Sequence, residues 1–343
     1  MAKLLHEIEW GMPLIAPGAG TKSEAELMKR MSPWLAAAVS TFYDPEKVSH
    51  APLKLMGIAY FVASQENACR YCYGEARALM KIWGYSENQI QDLEHEANLA
   101  GGLTRNVVEF ARKLAKSNPS PARKDSEALL QEGLSQEAVS EIAACVVKAC
   151  FANRLATFFA LPPNEALEKL PNRPLGRILG AFYRKKVVPR KAPPPEDFAN
   201  EGPFAEIIAA AGTTPIAAWL RARTDGWLAS PMIPKRDRLL MLAVIARQLG
   251  SLLCEEETMR FLAEEGLSNR ETSAILSTLG SPSMTPLGAT LLRWIRETVW
   301  YEPRVIQTST RKLLADVGEE LTIEAVGTAA ICNSLARLSL VRQ

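Results

Sequence analysis

The sequence lacks a dominant charge and has few strand-like patterns. Among its 343 residues, 40 lysines and arginines nearly balance 38 aspartates and glutamates. Such a balance produces no overall field that would attract nucleic acid or an anionic membrane, so we expect neither as a partner. Alternating apolar and polar runs bounded by turn residues are scarce, whereas apolar residues recur at helical spacing. This pattern predicts an all-α protein.

Long apolar runs are also absent. The most apolar run, from Leu239 to Cys254, is shorter than the ~20 residues that a membrane-spanning helix needs, and Arg247 interrupts it. This run predicts a core helix. Near the N-terminus, Glu7 and Glu9 interrupt the stretch in which a secretory signal needs apolar residues. We therefore expect a cytoplasmic protein that does not cross a membrane.

Histidine and cysteine are few, with three histidines and six cysteines in the whole chain. In a chain that is expected to stay in the cytoplasm, these cysteines argue against a disulfide framework. A structural zinc site needs about four ligands, usually from two closely spaced pairs. Because Cys145 and Cys150 lie five residues apart and the histidines are scattered, we expect no metal and no other bound cofactor.

Helix-end signals recur along the chain and indicate an internal repeat. A glycine followed two residues later by a capping serine occurs three times, at Gly84, Gly133 and Gly266. The segment from Pro52 resembles the segment from Pro234, at an offset of 182 (234 − 52). We interpret residues 1–182 and 204–343 as two tandem helical units, the second of them degenerate, joined by a proline-rich basic connector at residues 183–203.

Cys69 and Cys72 are the residues best suited to chemistry. Because they lie three residues apart in a predicted helix, their sulfurs share one face and can join in a disulfide without unwinding the helix. Asn67 is the predicted N-cap, which places Cys69 in the first turn, where the positive end of the helix favours a thiolate. Nearby cations at Arg70 and Arg77 could favour it further.

A buried thiol that reacts needs a proton carrier beside it. Glu75 lies one turn after Cys72, and Glu66 lies one turn before Cys69, so these two glutamates are the candidate catalytic carboxyl groups. Both could equally be ordinary exposed residues. The two cysteines could likewise be small apolar packing residues without any chemistry, because a free cysteine packs as a small hydrophobic residue.

The motif N-x-C-x-Y-C early in a helix carries a resemblance to a known family. It comprises Asn67, Cys69, Tyr71 and Cys72, and a later helix contains N-R-L-A at residues 153–156. Together these motifs resemble those of the AhpD-like alkylhydroperoxidase and carboxymuconolactone decarboxylase superfamily. The likeness covers residues 45–165 well and 230–343 more faintly. It implies two AhpD-like helical units and, since such units associate, a homo-oligomer.

The resemblance also implies an activity. Peroxidase-type members of this superfamily reduce hydroperoxides with two cysteines, and a protein or a small thiol then reduces the resulting disulfide. A hydroperoxide substrate, a thiol reductant and an antioxidant role are therefore expected. The family pattern makes Cys72 the attacking residue, whereas the helix-terminus argument favours Cys69, so the order of attack stays open.

The chain departs from the family pattern at the proton relay. The family's histidine four residues after the second cysteine corresponds to Ala76, and its glutamate twelve residues before the first cysteine corresponds to Gly57. In the second unit, Ser251 replaces the first cysteine and Cys254 alone remains. We therefore expect the second unit to be a structural copy.

Three functions follow from these observations. The leading one is a thiol-dependent peroxidase-like oxidoreductase that uses the cysteine pair. The second is a lyase of the carboxymuconolactone decarboxylase type, in which acid and base residues matter more than thiols; family members with that activity generally lack the pair, which counts against it. The third is a catalytically silent, oligomeric helical scaffold, which the departures at Gly57, Ala76 and Ser251 favour.

Overall fold

The computed structural model describes residues 3–15, 23–40, 50–95, 102–174, 176, 178, 200–212, 215–281 and 284–343. Within these ranges the chain forms helices and no strand, which confirms the predicted all-α class. The predicted connector lies outside the described residues as far as residue 199. The division of the chain into two tandem units stays a prediction.

Nine α-helices are described before residue 170. They are α1 (Ser23–Arg30), α2 (Pro33–Ser40), α3 (Leu53–Glu66), α4 (Arg70–Ile82), α5 (Glu87–His95), α6 (Leu103–Ala115), α7 (Arg123–Gln131), α8 (Gln136–Phe159) and α9 (Glu165–Lys169). Short 3₁₀ turns occupy Leu5–Glu7 and Leu170–Asn172.

Eight α-helices are described after the connector. They are α10 (Ala205–Ile208), α11 (Pro215–Ala229), α12 (Lys235–Gln248), α13 (Leu252–Glu264), α14 (Asn269–Thr278), α15 (Pro286–Thr298), α16 (Pro303–Val317) and α17 (Glu319–Ser339). A 3₁₀ turn at Ala209–Ala211 follows α10. Helices α3 and α12 both contain 14 residues and lie 182 positions apart (235 − 53). These bounds are consistent with the predicted repeat.

The apolar run from Leu239 to Cys254 is not one helix, contrary to the prediction. Helix α12 ends at Gln248, α13 begins at Leu252, and Gly250 between them has a φ of 65°. This left-handed conformation is easily reached by glycine, which has no Cβ. The break turns the chain back on itself, so that α12 and α13 pack against each other.

Local capping signals are where the sequence predicts them. The Ser86 backbone N–H donates to Gln89 Oε1 at 2.9 Å, and the Gln89 N–H donates to Ser86 Oγ at 3.2 Å. Ser268 and Glu271 form the same reciprocal capping box at the start of α14. Ser135 Oγ accepts the N–H of Ala138 at the start of α8. These bonds satisfy helix N–H groups that have no partner within the helix.

The centre of the fold is built on the two longest helices. Helix α8 packs along α17, while α3 packs on α6 and α8 and α12 packs on α13, α15 and α17. Residues 136–159 are long and apolar enough to span a bilayer, but this helix is enclosed by the rest of the fold. A core helix satisfies the same criteria of length and composition.

A buried arginine of α8 caps a helix in the second half of the chain. The Arg154 guanidinium donates to the carbonyl of Thr298 at 2.6 Å and to that of Val299, at the C-terminal end of α15. Unpaired carbonyls at a helix C-terminus carry partial negative charge, which partly compensates a buried cation.

A second buried arginine makes the reciprocal contact from α17. Arg337 donates to the carbonyls of Leu114 at 2.5 Å and Lys116 at 2.8 Å, at the C-terminal end of α6. The guanidinium carbons of Arg154 and Arg337 lie 4.5 and 5.4 Å from the ring centroid of Tyr301. The two halves of the chain are therefore joined by charged, buried contacts as well as by apolar packing.

Candidate active site

The predicted cysteine pair lies at the start of α4. Cys69 is the N-cap residue of this helix, and its Sγ accepts the backbone N–H of Cys72 at 3.4 Å. Asn67, predicted to be the N-cap, is instead the C-cap of α3, and its Nδ2 donates to Cys150 Sγ at 3.4 Å. Ala68, with a φ of 45°, turns the chain between the two helices. This tight turn brings the Cys69 sulfur, in place of an asparagine side chain, to the amide groups of α4.

The two thiols face each other and are both reduced. Cys69 Sγ lies 3.4 Å from the backbone nitrogen of Cys72, Cys69 affects the ionisation of Cys72, and neither cysteine forms a disulfide. This proximity follows from their spacing of three residues across the first turn of a helix. A disulfide between them would therefore require little movement of the backbone.

Tyr60 of α3 is a site residue that sequence reasoning missed. Its hydroxyl group lies near Cys72 and affects the ionisation of that thiol. Part of the residue reaches the surface, but the hydroxyl group is buried. Burial raises the pKa of Tyr60 well above its usual range, and the negative charge that Cys72 carries when ionised raises it further. At neutral pH the Tyr60 hydroxyl is therefore protonated and can donate its hydrogen to the sulfur.

The environment of Cys72 disfavours ionisation of its thiol. Burial raises the pKa of the Cys72 thiol well above its usual range, and the hydrogen bond and charge of Cys69 and the charge of Glu75 raise it further. The Tyr60 hydroxyl acts in the opposite direction, because its hydrogen bond lowers the pKa of the Cys72 thiol. The Cys72 thiol is thus protonated at rest, with one donor in place to stabilise its thiolate.

The two arginines expected to assist the thiols are engaged elsewhere. Arg70 forms a bidentate ion pair with Glu168, at 2.6 and 3.0 Å. Arg77 donates to Glu94 at 2.9 Å and also pairs with Glu87. These side chains hold α4 to its neighbours, because an arginine with two carboxylate bonds is fixed in orientation.

The candidate carboxyl groups lie in different environments. The charge of Glu75 acts on Cys72, and Asn164 Nδ2 donates to Glu75 Oε1 at 3.0 Å. Glu66 forms an ion pair with Arg112 at 2.6 Å. The structure thus brings Glu75 to the thiols, whereas Glu66 is engaged by an arginine from α6. The catalytic role of either residue stays a prediction.

The two positions that the resemblance aligns with a proton relay are buried or sterically blocked. Ala76 is buried, with 3% of its surface exposed. At Gly57, a Cβ atom would lie 2.1 Å from Cζ3 of Trp83, a distance that real atoms do not adopt. The Trp83 ring therefore occupies the space that a glutamate side chain at position 57 would need.

An apolar cover isolates the thiol pair from water. Ala152 and Ala156 of α8 pack against the two cysteines, with Trp10, Tyr71 and Leu161 at the edge of the cluster. As a result Cys69 is fully buried and only 2% of Cys72 is exposed. Trp10 Nε1 donates to the carbonyl of Leu161 at 2.9 Å, which fixes the indole ring over this cluster.

A polar cleft of about 1280 Å³ lies beside the site. Its wall includes Ala68, the residue before Cys69, together with Glu66 and Tyr301. Ile8 and Glu9 of the N-terminal segment form another part of the wall. The thiols do not contribute to the lining. The cleft therefore reaches the backbone next to Cys69 without reaching its sulfur.

The second half of the chain has a different group at the corresponding place. The hydroxyl groups of Ser251 and Ser339 are hydrogen-bonded to each other. Cys254 is buried beside Thr258, and burial raises the pKa of the Cys254 thiol to about 12. Burial similarly raises the pKa of Cys332 well above its usual range. These thiols lie in the hydrophobic core.

The described part of the chain contains no group of three or more histidine, cysteine, aspartate or glutamate side chains arranged to hold a metal ion. Comparison of the chain with models of protein families, with curated proteins and with solved structures gave no match. The resemblance to the AhpD-like superfamily therefore depends on the motifs around Cys69 and Asn153 alone.

Proposed function

We propose that the protein is a thiol-dependent, peroxidase-type oxidoreductase that cycles Cys69 and Cys72 between dithiol and disulfide. One observation carries the proposal: two free thiols, three residues apart, lie together at a helix N-terminus, and a nearby tyrosine hydroxyl lowers the pKa of one of them. This arrangement combines a dithiol that can close to a disulfide with a group that can hold or release a proton.

The proposed reaction starts at Cys72, because the Tyr60 hydroxyl stabilises the thiolate of that residue. The Cys72 thiolate attacks the terminal oxygen of a hydroperoxide, the O–O bond breaks, and the alkoxide leaves with a proton as an alcohol. Cys72 is then a sulfenic acid. The Cys69 thiolate attacks its sulfur and displaces hydroxide, which takes up a proton and leaves as water. The hydroperoxide is reduced by two electrons and the thiol pair is oxidised by two.

Restoring the dithiol requires a reductant, which we propose to be a small thiol or a dithiol protein. Its thiolate attacks the Cys69–Cys72 disulfide, and a second thiol of the reductant releases the mixed disulfide. The burial of the pair restricts this attack, because the incoming sulfur must approach along the S–S axis.

Thiol mapping after oxidation tests the proposal. Treatment of the full-length protein with a stoichiometric hydroperoxide is expected to remove two free thiols, at Cys69 and Cys72, and to release one equivalent of alcohol. In a Cys69→Ser variant, Cys72 should accumulate as a sulfenic acid that reacts with dimedone. Cys145→Ser is the matched control, since this buried cysteine lies outside the pair, and the disulfide should form in it at the wild-type rate.

A reduced pair that persists under excess hydroperoxide would contradict the proposal. It would favour a second candidate, a helical scaffold without catalysis, which the burial of both sulfurs and the raised pKa of Cys72 support. A scaffold predicts that oxidation of the pair by hydroperoxide is no faster than oxidation of free cysteine at the same pH. A Cys72 variant would then differ from the wild type only in stability.

A further inference from the structure

The thiol pair is covered by a short segment without helical structure. We call residues 8–14 the N-terminal strap. Trp10 of the strap packs at the edge of the cluster formed by Cys69, Cys72 and two alanines of α8. The other residues of the cluster come from α4 and α8, and from Leu161 just after α8. The strap is therefore the part of the enclosure that can move at least cost.

Few hydrogen bonds hold the strap, and they come from both halves of the chain. Besides the bond from Trp10 to Leu161, the Leu14 N–H donates to the Phe159 carbonyl at 2.9 Å. From α16, Gln307 Oε1 accepts the Gly11 N–H at 2.9 Å. Arg311, also of α16, donates to the carbonyl of Met12, whose side chain is 79% exposed. The strap thus lies between the end of α8 and helix α16, and hydrogen bonds hold it to both.

The strap separates the polar cleft from the thiols. Ile8 and Glu9 line the cleft, and the next residue, Trp10, lies on the thiol cluster. Ala68, the residue before Cys69, also lines the cleft. A displacement of the strap would therefore connect the cleft with the two sulfurs.

We propose that the N-terminal strap is a door, with Trp10 as its closing residue, through which hydroperoxide and reductant pass from the cleft to Cys69 and Cys72. This inference concerns access to the site of the proposed oxidoreductase and depends on that function for its purpose. When the door is closed, both sulfurs are buried and the Cys72 thiol is protonated. When it opens, water reaches the sulfurs and the burial that opposes ionisation of Cys72 is relieved.

Alkylation of the native protein by iodoacetamide, followed by peptide mapping, tests the door without any hydroperoxide. Trp10→Ala removes the cover and is expected to speed labelling of Cys69 and Cys72 by about 30-fold, because truncating a partly buried aromatic ring shifts the opening equilibrium. Gln307→Leu removes one fastening without touching the cluster, and is expected to speed labelling about fivefold.

Two controls separate opening of the door from general loosening. Gln307→Glu keeps an oxygen that can accept the Gly11 N–H, so labelling should stay near the wild-type rate. The buried thiols of Cys145 and Cys332 act as internal reporters, and their labelling should not change in any variant.

Labelling of the pair at the wild-type rate in both Trp10→Ala and Gln307→Leu would overturn the inference. So would a proportional rise at the reporter thiols, because it would indicate global destabilisation. The outcome is independent of the proposed activity. If labelling accelerates as expected but hydroperoxide leaves the pair reduced, the door exists and the peroxidase proposal fails.

Discussion

The indole ring of Trp83 lies against the backbone of Gly57, leaving no room for a side chain at that position. A Cβ atom on residue 57 would be 2.1 Å from Cζ3 and 3.0 Å from two other ring carbons. Trp83 is the C-cap residue of α4, the helix that begins at the thiol pair, and Gly57 lies within α3. The contact therefore sets how closely these two helices approach each other.

Gly57→Ala is expected to destabilise the protein by about 1–3 kcal/mol, because the added methyl group must displace the Trp83 ring or the helix. In a helix with free space at that position, a glycine-to-alanine change stabilises the fold by about 0.5–1 kcal/mol. A loss of stability would therefore indicate that the Trp83 ring occupies the space. Urea unfolding measures it. In a Trp83→Ala background the substitution should cost far less, and equal costs in both backgrounds would show that the contact does not matter.

Tyr60→Phe is expected to slow disulfide formation by hydroperoxide and to move its pH dependence upward by about one unit. The Tyr60 hydroxyl lowers the pKa of Cys72, and a hydrogen bond to a charged group is worth about 1.5–3 kcal/mol. A pH profile of the single-turnover rate measures the shift. Tyr85→Phe is the matched control, since burial alone raises the pKa of this tyrosine; an identical shift in it would contradict the assignment.

The buried thiols predict a loss of stability in alkaline solution. Burial raises the pKa of Cys145 and of Cys254 to about 12, whereas an unfolded cysteine ionises near pH ~8.5. Above that pH the unfolded chain releases protons that the folded protein retains. Stability must therefore fall as pH rises from about 8.5 towards 12, by at most about 1.4 kcal/mol per pH unit for each thiol.

Thermal unfolding between neutral pH and pH ~10.5 measures this decline. The Cys145→Ala variant should show a shallower slope, because one proton-retaining group is gone. Its stability at neutral pH will also change through the cavity that the substitution leaves. The comparison therefore uses the slope of stability against pH and not the stability at neutral pH. Identical slopes would contradict the role assigned to this thiol.

Arg154→Met is expected to destabilise the protein by about 3 kcal/mol, because it leaves the Thr298 and Val299 carbonyls without their charged donor. Arg154→Lys should recover only part of this loss, since an ammonium group lacks the planar fork of a guanidinium. Chemical unfolding measures both. Arg105→Met, which breaks an exposed pair with Glu109, should cost no more than about 0.5 kcal/mol; a comparable loss would indicate that burial is unimportant.

The features that the sequence predicted are those that depend on neighbours a few residues away. Helical periodicity predicted the all-α class, and the capping pairs at Ser86 and Ser268 formed as expected. Cys69 and Cys72 lie on the same face of the helix because of their spacing alone. The prediction of one helix from Leu239 to Cys254 was wrong, because the apolar run continues across Gly250, where the helix ends.

The groups that determine the reactivity of the pair come from distant parts of the chain. Tyr60 belongs to the preceding helix and Trp10 to the N-terminal strap. A signal for Tyr60 exists in its position three residues after Gly57 on α3, because the resemblance, which stays a prediction, aligns Gly57 with a relay group. No comparable signal in the sequence indicates that Trp10 covers the thiols.

The sequence by itself determined that helices would form, where several of them would begin, and that two sulfurs would share one helix face, because these outcomes depend on backbone hydrogen bonding over one turn. Only the tertiary structure decided how easily the Cys72 thiol would ionise. Packing of the N-terminal strap and α8 removed water from Cys72, and this loss of solvation outweighs the single hydrogen bond that the site supplies.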